Sequence, residues 1–224
     1  MNWFIIDEHG TRPIPEQWMT HQRQQHAHEL AWGVWRSFSH VAVRSEPEGL
    51  MEALQRLVAK EGMCFEVLHK QGAGASMVIA TQKDWSVVHE PQPQTCVLHS
   101  DSVDDFFEEL DCEGLFYGYE EEGSVVHFAH FEQGRMTFLW VDAQEPGPSF
   151  ALTFHEDGQC TEQDARWFAH EHMGLSEDVT QIDRFAFLAR LIRERGLNWM
   201  DPHLGDATIT HALSLIPTHD TNQG

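Results

Sequence analysis

Between residues 38 and 142 the chain carries one order of structural signals twice, and this internal periodicity restricts the available folds more than any single motif does. In the first copy, His40-Val41-Ala42-Val43 has the apolar, β-branched character of a strand. Ser45-Glu46-Pro47-Glu48 then supplies an N-cap with a carboxylate three residues on, and a proline just inside the helix start. Leu50, Leu54, Leu57 and Val58 recur at helical spacing, and Glu61-Gly62 closes the helix with a residue suited to the left-handed conformation. Three strands are predicted to follow, Met63 to Lys70, Ser76 to Gln82 and Trp85 to Glu90, joined by turns at residues 71–74 and at Lys83-Asp84.

The second copy repeats that punctuation. Residues 95–99 read as a strand, Ser102 and Asp105 repeat the capping box, and Val103, Phe106, Phe107 and Leu110 form a complete helical stripe. Glu113-Gly114 falls 52 residues after Glu61-Gly62 and is expected to end the helix in the same way. A meander of Leu115 to Glu121, Ser124 to Phe131 and Arg135 to Val141 follows, broken at Glu122-Gly123 and Glu132-Gln133-Gly134. The fold class expected is therefore α+β, with two tandem βαβββ-like repeats (38–90 and 95–142) forming an antiparallel or mixed sheet.

The flanks add a strand at Trp3 to Ile6 and a helix ending near Ser37, with Ala27, Leu30, Ala31, Val34 and Trp35 on one face (residues 1–37). Residues 150–216 are expected to hold one strand, Phe150 to His155, and then two helices. The first is capped by Thr161 with Asp164 and ended by Gly174; the second starts at Ser176 and turns Val179, Ile182, Phe185, Ala189 and Ile192 inward. Residues 217–224 read as a frayed tail, and 1–224 as a single compact body.

Charge narrows the function classes. The chain has 36 Asp and Glu against 14 Lys and Arg, a formal net charge of -22. From Asp84 through Gly134 there is no Lys or Arg, while thirteen residues are acidic. Such a field repels phosphate backbones and anionic lipid, so neither nucleic acid nor membrane is an expected partner, whereas a basic protein is attracted. No apolar run is long enough for a membrane span, and Trp3 to Ile6 is stopped at once by Asp7-Glu8 without a basic leader. The four cysteines form no C-x-x-C pair, so no zinc ribbon or disulfide framework is signalled and the cytoplasm is the expected compartment.

Local catalytic signals are missing from the sequence. There is no G-x-S-x-G elbow, and Gly72-Ala73-Gly74 lies between strands instead of opening a helix as a phosphate loop must. Among the 16 histidines, His26 and His28, like His170 and His172, are two apart on predicted helices and share no face. His127 and His130, three apart on a strand, point to opposite faces. The order of elements in 38–142 resembles the vicinal oxygen chelate superfamily, the glyoxalase and dioxygenase group, whose paired βαβββ modules hold a divalent metal. That resemblance implies ligands on the first and last strands of each module, where this chain offers His40, His89 or Glu90, and His99; the last strand of copy two holds no Glu or His and ends in Asp142.

The denser signal is acidic. Asp104, Asp105, Glu108 and Glu109 lie on the outer surface of the second short helix, and Glu120, Glu121 and Glu122 form a hairpin tip, with Tyr117, Tyr119 and Trp140 as candidate aromatic anchors. The leading expectation is a noncatalytic bacterial protein without a cofactor that binds a basic protein, in the manner of immunity proteins that neutralise basic toxins. The alternative is a metal-dependent small-molecule enzyme or binder using His40, His89, Glu90 and His99. Open strand edges also permit pairing between copies of the chain.

Overall fold

The computed structural model describes residues 4–7, 10–13, 38–68, 77–89, 100–120, 125–143, 149–175, 182–197 and 208–218. The expected helix before Ser37 and the expected strand at 95–99 lie outside these. A short hairpin at the start pairs β1 (Phe4–Asp7) with β2 (Gly10–Pro13). Then come β3 (Phe38–Val43), α1 (Pro47–Ala59), β4 (Met63–Val67), β5 (Met77–Gln82), β6 (Trp85–His89), α2 (Ser100–Leu110), β7 (Gly114–Glu120), β8 (Val125–Glu132) and β9 (Arg135–Ala143). The chain continues through β10 (Ser149–Phe154), β11 (Cys160–Asp164), α3 (Ala165–Met173), α4 (Arg184–Glu194) and β12 (Thr208–Pro217).

Ten strands form one sheet in the order β11-β10-β9-β8-β7-β3-β6-β5-β12-β4, with every neighbouring pair antiparallel. Strand side chains alternate between faces, so residues apolar at both parities demand cover on both sides. Val41 and Val43 of β3, with Phe116, Ala129 and Phe131, pack against Leu50, Ala53 and Leu54 of α1 and Val103, Phe106 and Phe107 of α2. On the other face Ala42, Leu115, Tyr117, Phe128 and Trp140 meet Ala165 and Ala169 of α3 and Phe185, Leu188 and Ile192 of α4. The helical stripe expected at Val103, Phe106, Phe107 and Leu110 is thus the buried side of α2, with the first three at most 2% exposed.

The first meander is not consecutive. β4 and β5 do not pair, because β12 lies between them, with Leu213 opposite Met77 on one side and Val67 on the other. The region expected to hold one strand and two helices therefore also contains a long interior strand, one place from the sheet edge, and Pro217, expected in the frayed tail, closes it. Thr218 adds a backbone bond to Gly62 O at 2.9 Å. Leu213 is fully buried under α1, which is the gain that draws a strand from the far end of the chain into this slot. β4 is left at the sheet edge, where Phe65 N donates to Gln55 Oε1 at 2.9 Å instead of to another strand.

Several caps differ from the expected ones. Glu46, not Ser45, is the N-cap of α1, and it makes no side-chain bond; Gly62 does take φ +71°. Thr161 lies in strand β11, and the cap of α3 is Asp164, whose Oδ1 accepts from Arg166 N and Trp167 N at 2.9 and 2.8 Å. Gly174 ends α3 in the left-handed conformation as expected. The second of these helices begins at Asp183, which caps Phe185 N and Ala186 N. Gly114 does not mirror Gly62. It lies within β7 under the Phe107 ring, where a Cβ would stand 1.9 Å from the ring carbon Cε1, and the left-handed turn after α2 is made by Asp111 with φ 46°.

Candidate functional site

α2 presents its carboxylates outward because its apolar stripe is committed to the sheet. Asp104, Asp105, Glu108, Glu109 and Asp111 are all exposed. They divide into two flanks by the i, i+4 rule. Asp105 and Glu109 face α1, where Lys60 Nζ lies 4.0 Å from Asp105 and Arg56 bonds Glu109. Asp104 and Glu108 form the flank turned away from α1, Asp111 follows just past the helix end, and no described cation pairs with any of the three. Partial burial, and then the adjacent Asp105 charge, push the Asp104 carboxyl above its ordinary value.

The aromatic anchors expected beside these charges are not there. Tyr117, Tyr119 and Trp140 are 1%, 2% and 0% exposed, in the core beneath α3 and α4, on the sheet face opposite α2. Trp140 Nε1 donates to Ala165 O at 3.2 Å, and the Tyr119 ring meets Phe185 edge-on at 5.2 Å. Aromatics interleaved with acidic residues read as surface only while the sheet is taken to have one dry face; here both faces are dry. The side chain of Glu120, and all of Glu121 and Glu122, lie outside the described residues.

Of the residues considered for a metal, His40 and His89 are paired in backbone register across β3 and β6. His40 is 2% exposed and lies 5.3 Å from the Tyr117 ring. Glu90 and His99 are outside the described residues, and among the described ones no three His, Cys, Asp or Glu are grouped to hold an ion. Asp142 is buried at the end of β9, where it accepts from Ser149 Oγ at 2.6 Å and faces Arg166 Nε at 3.6 Å.

Sequence spacing missed a polar network at one end of the sheet. His130 Nε2 lies 3.3 Å from Glu113 Oε1 and its Nδ1 lies 3.1 Å from Thr137 Oγ1. Arg44 joins Glu113 at 2.9 Å to Asp84 at 2.8 Å while covering the Trp85 ring at 4.8 Å. Burial, then the nearby Arg195 charge, lower the His130 pKa below its ordinary value, against the pull of Glu113 and Glu132. The neutral ring donates from Nε2 to Glu113 and accepts at Nδ1 from Thr137. Carboxylate, imidazole and hydroxyl in this order resemble a proton relay. Thr137 Oγ1 also bonds His130 O at 3.2 Å, so its hydrogen is shared within the strand pair and the network braces the β8–β9 hairpin. Nearby, a cleft of about 450 Å³ is lined by Arg44, Thr81, Lys83, Asp84, Trp85 and Ser86, but Lys83 is already bonded to Gly196 O at 2.9 Å.

No protein-family model, curated protein or solved structure matches the chain. Among the described residues no helix is long and apolar enough to cross a membrane.

Proposed function

We propose that this protein is a noncatalytic, cytoplasmic binding module whose acidic α2 face docks a basic protein partner, as an immunity protein or regulatory subunit does. The observation that carries this reading is the division of α2: its apolar side is locked into a core while its outer side offers Asp104 and Glu108, with Asp111 just past its end, to solvent without a described cation. A rigid helix bearing unneutralised charge is a preorganised electrostatic surface, which raises association rate and selects partners by sign. The two units, 38–90 and 95–142, are read as copies of one scaffold that diverged in charge, the first with β12 inserted between its β4 and β5; α1 and α2 lie side by side on one face, and Arg56 of α1 and Lys60 at its C-cap supply cations that α2 lacks.

The test is affinity capture on the immobilised protein with elution by rising salt, run beside the double variant Asp104→Lys, Glu108→Lys. Expected is a partner of net positive charge that elutes with salt and is lost in the variant. Recovery of only acidic or neutral partners, or capture unaffected by the variant, refutes the reading.

A second reading, a metal-dependent small-molecule enzyme or binder, is favoured by one observation: two of its four candidate ligands, His40 and His89, are cross-strand neighbours. Stoichiometric divalent metal in untagged protein, lost in His40→Ala, would support it.

A further inference from the structure

The unpaired flank of α2 borders an apolar strip on the same face of the sheet. β10 pairs with β9 so that Phe150 lies opposite Val141 and Leu152 opposite Leu139. Ala151 and Trp140 belong to the core under α3 and α4, so alternation turns Phe150, Leu152, Phe154, Leu139 and Val141 toward the side that carries α1 and α2. α2 reaches across that side as far as β9, and Leu139 packs against its core. Beyond it, Phe150 and Leu152 are part-exposed and belong to neither large apolar cluster, and Phe154 is 36% exposed.

Carboxylates border this strip on both sides. Asp104 and Glu108 flank it from α2 and Glu162, opposite Leu152, from β11, with Asp111 just past the end of α2 and Glu156 and Asp157 in the β10–β11 turn beyond Phe154. All six are exposed, and no described cation pairs with any of them. With strands about 4.8 Å apart, the floor from β9 to β11 is roughly 10 Å wide, about the diameter of a helix with its side chains.

We infer that this strip is a docking groove for a cationic amphipathic segment of a partner protein, with the partner's apolar face on Phe150, Leu152 and Phe154 and its Lys or Arg side chains against the bordering carboxylates. Charge complementarity selects this occupant over a second copy, because two chains of net charge -22 would bring these acidic rims together. The inference rests on the acidic-face reading and gives it a floor, a register and a partner chemistry. An apolar anchor within a charged rim is the arrangement in which the centre supplies affinity and the rim supplies rate and selection.

The experiment uses the full chain and two synthetic probes of identical Leu and Lys composition, each about five helical turns long. One is patterned to give an apolar face and the other is scrambled to give none. Binding is read by fluorescence anisotropy at physiological salt, and its location by amide hydrogen exchange. Expected is binding of the patterned probe at least tenfold tighter than the scrambled one, protection in β9 and β10, and a tenfold or greater loss in Leu152→Ser. Phe154→Ser, at the more exposed end of the strip, is a second variant should Leu152→Ser fold poorly. Equal binding of both probes that depends on Asp104 and Glu108 but not on Leu152 or Phe154 overturns the groove and leaves the acidic-face reading standing. No binding of either probe overturns both. A dimer in sedimentation that Leu152→Ser dissolves also overturns the groove, by assigning the strip to a second copy.

Discussion

Protonation of His127 should destabilise the fold in a pH window that can be worked out from the structure. The ring packs on Phe116 at 4.7 Å between centroids, its Nε2 is shut off from solvent without a hydrogen-bond partner, and burial lowers its pKa from 6.5 to about 4. Because the native pKa is the depressed one, the unfolded chain takes up the proton first as pH falls through about 6.5. The stability contribution is whole above that pH, declines between 6.5 and 4, and is fully lost below the native pKa. The complete shift corresponds to roughly 3 kcal/mol at about 1.4 kcal/mol per unit, and the loss by pH 5.5 is about 1.4 kcal/mol. That pH stays above the sequence pI of about 4.9, where solubility is poorest. Other groups add to the pH dependence, His130 with its lowered pKa among them, so the measurement is a difference: urea unfolding of wild type and His127→Phe at pH 7.5 and pH 5.5. Phenylalanine keeps the aromatic contact with Phe116 and removes the titration. Wild type should lose about 1.4 kcal/mol more than the variant between the two pH values. Parallel losses, or an NMR titration placing His127 near 6.5, would refute the reasoning.

Gly114→Ala should cost about 1–3 kcal/mol, because its methyl meets the Phe107 ring at 1.9 Å and that ring is stacked on Phe131 at 4.0 Å. Thermal melts should show part of the loss restored by Phe107→Leu in the same chain, a rescue absent if Gly114 served only as a flexible turn. Asp183→Ala should remove the cap from Phe185 N and Ala186 N and cost about 1 kcal/mol by denaturant unfolding, while Asp183→Asn should retain most of it.

The sequence already held the elements whose signals are local. The α2 stripe of Val103, Phe106, Phe107 and Leu110 is buried as its spacing predicts, and the hairpin at Gln133-Gly134 turns with both residues at positive φ. The acidic outer side of α2 was equally legible, because burying one helical face leaves the other to solvent. What could not be read concerned partners distant along the chain. His130 takes its character from Glu113, Thr137 and Arg195, and nothing in the spacing of these residues brings them together.

Gly114 and β12 mark the boundary between the two sources of information. A glycine four residues beyond a helix looks like a terminator, yet its need for no side chain comes from a ring seven residues earlier folding back over the strand. β12 has the apolar residues of a strand, but only the slot between β4 and β5 fixes where it pairs. By itself the sequence determined periodicity, helix faces and net charge, each of which depends on residues a few positions apart or on a sum over the chain. The tertiary structure alone decided strand order, the burial of Tyr117, Tyr119 and Trp140, and the apolar strip beside the acidic helix, because burial depends on which surfaces a ten-stranded sheet leaves covered on each face.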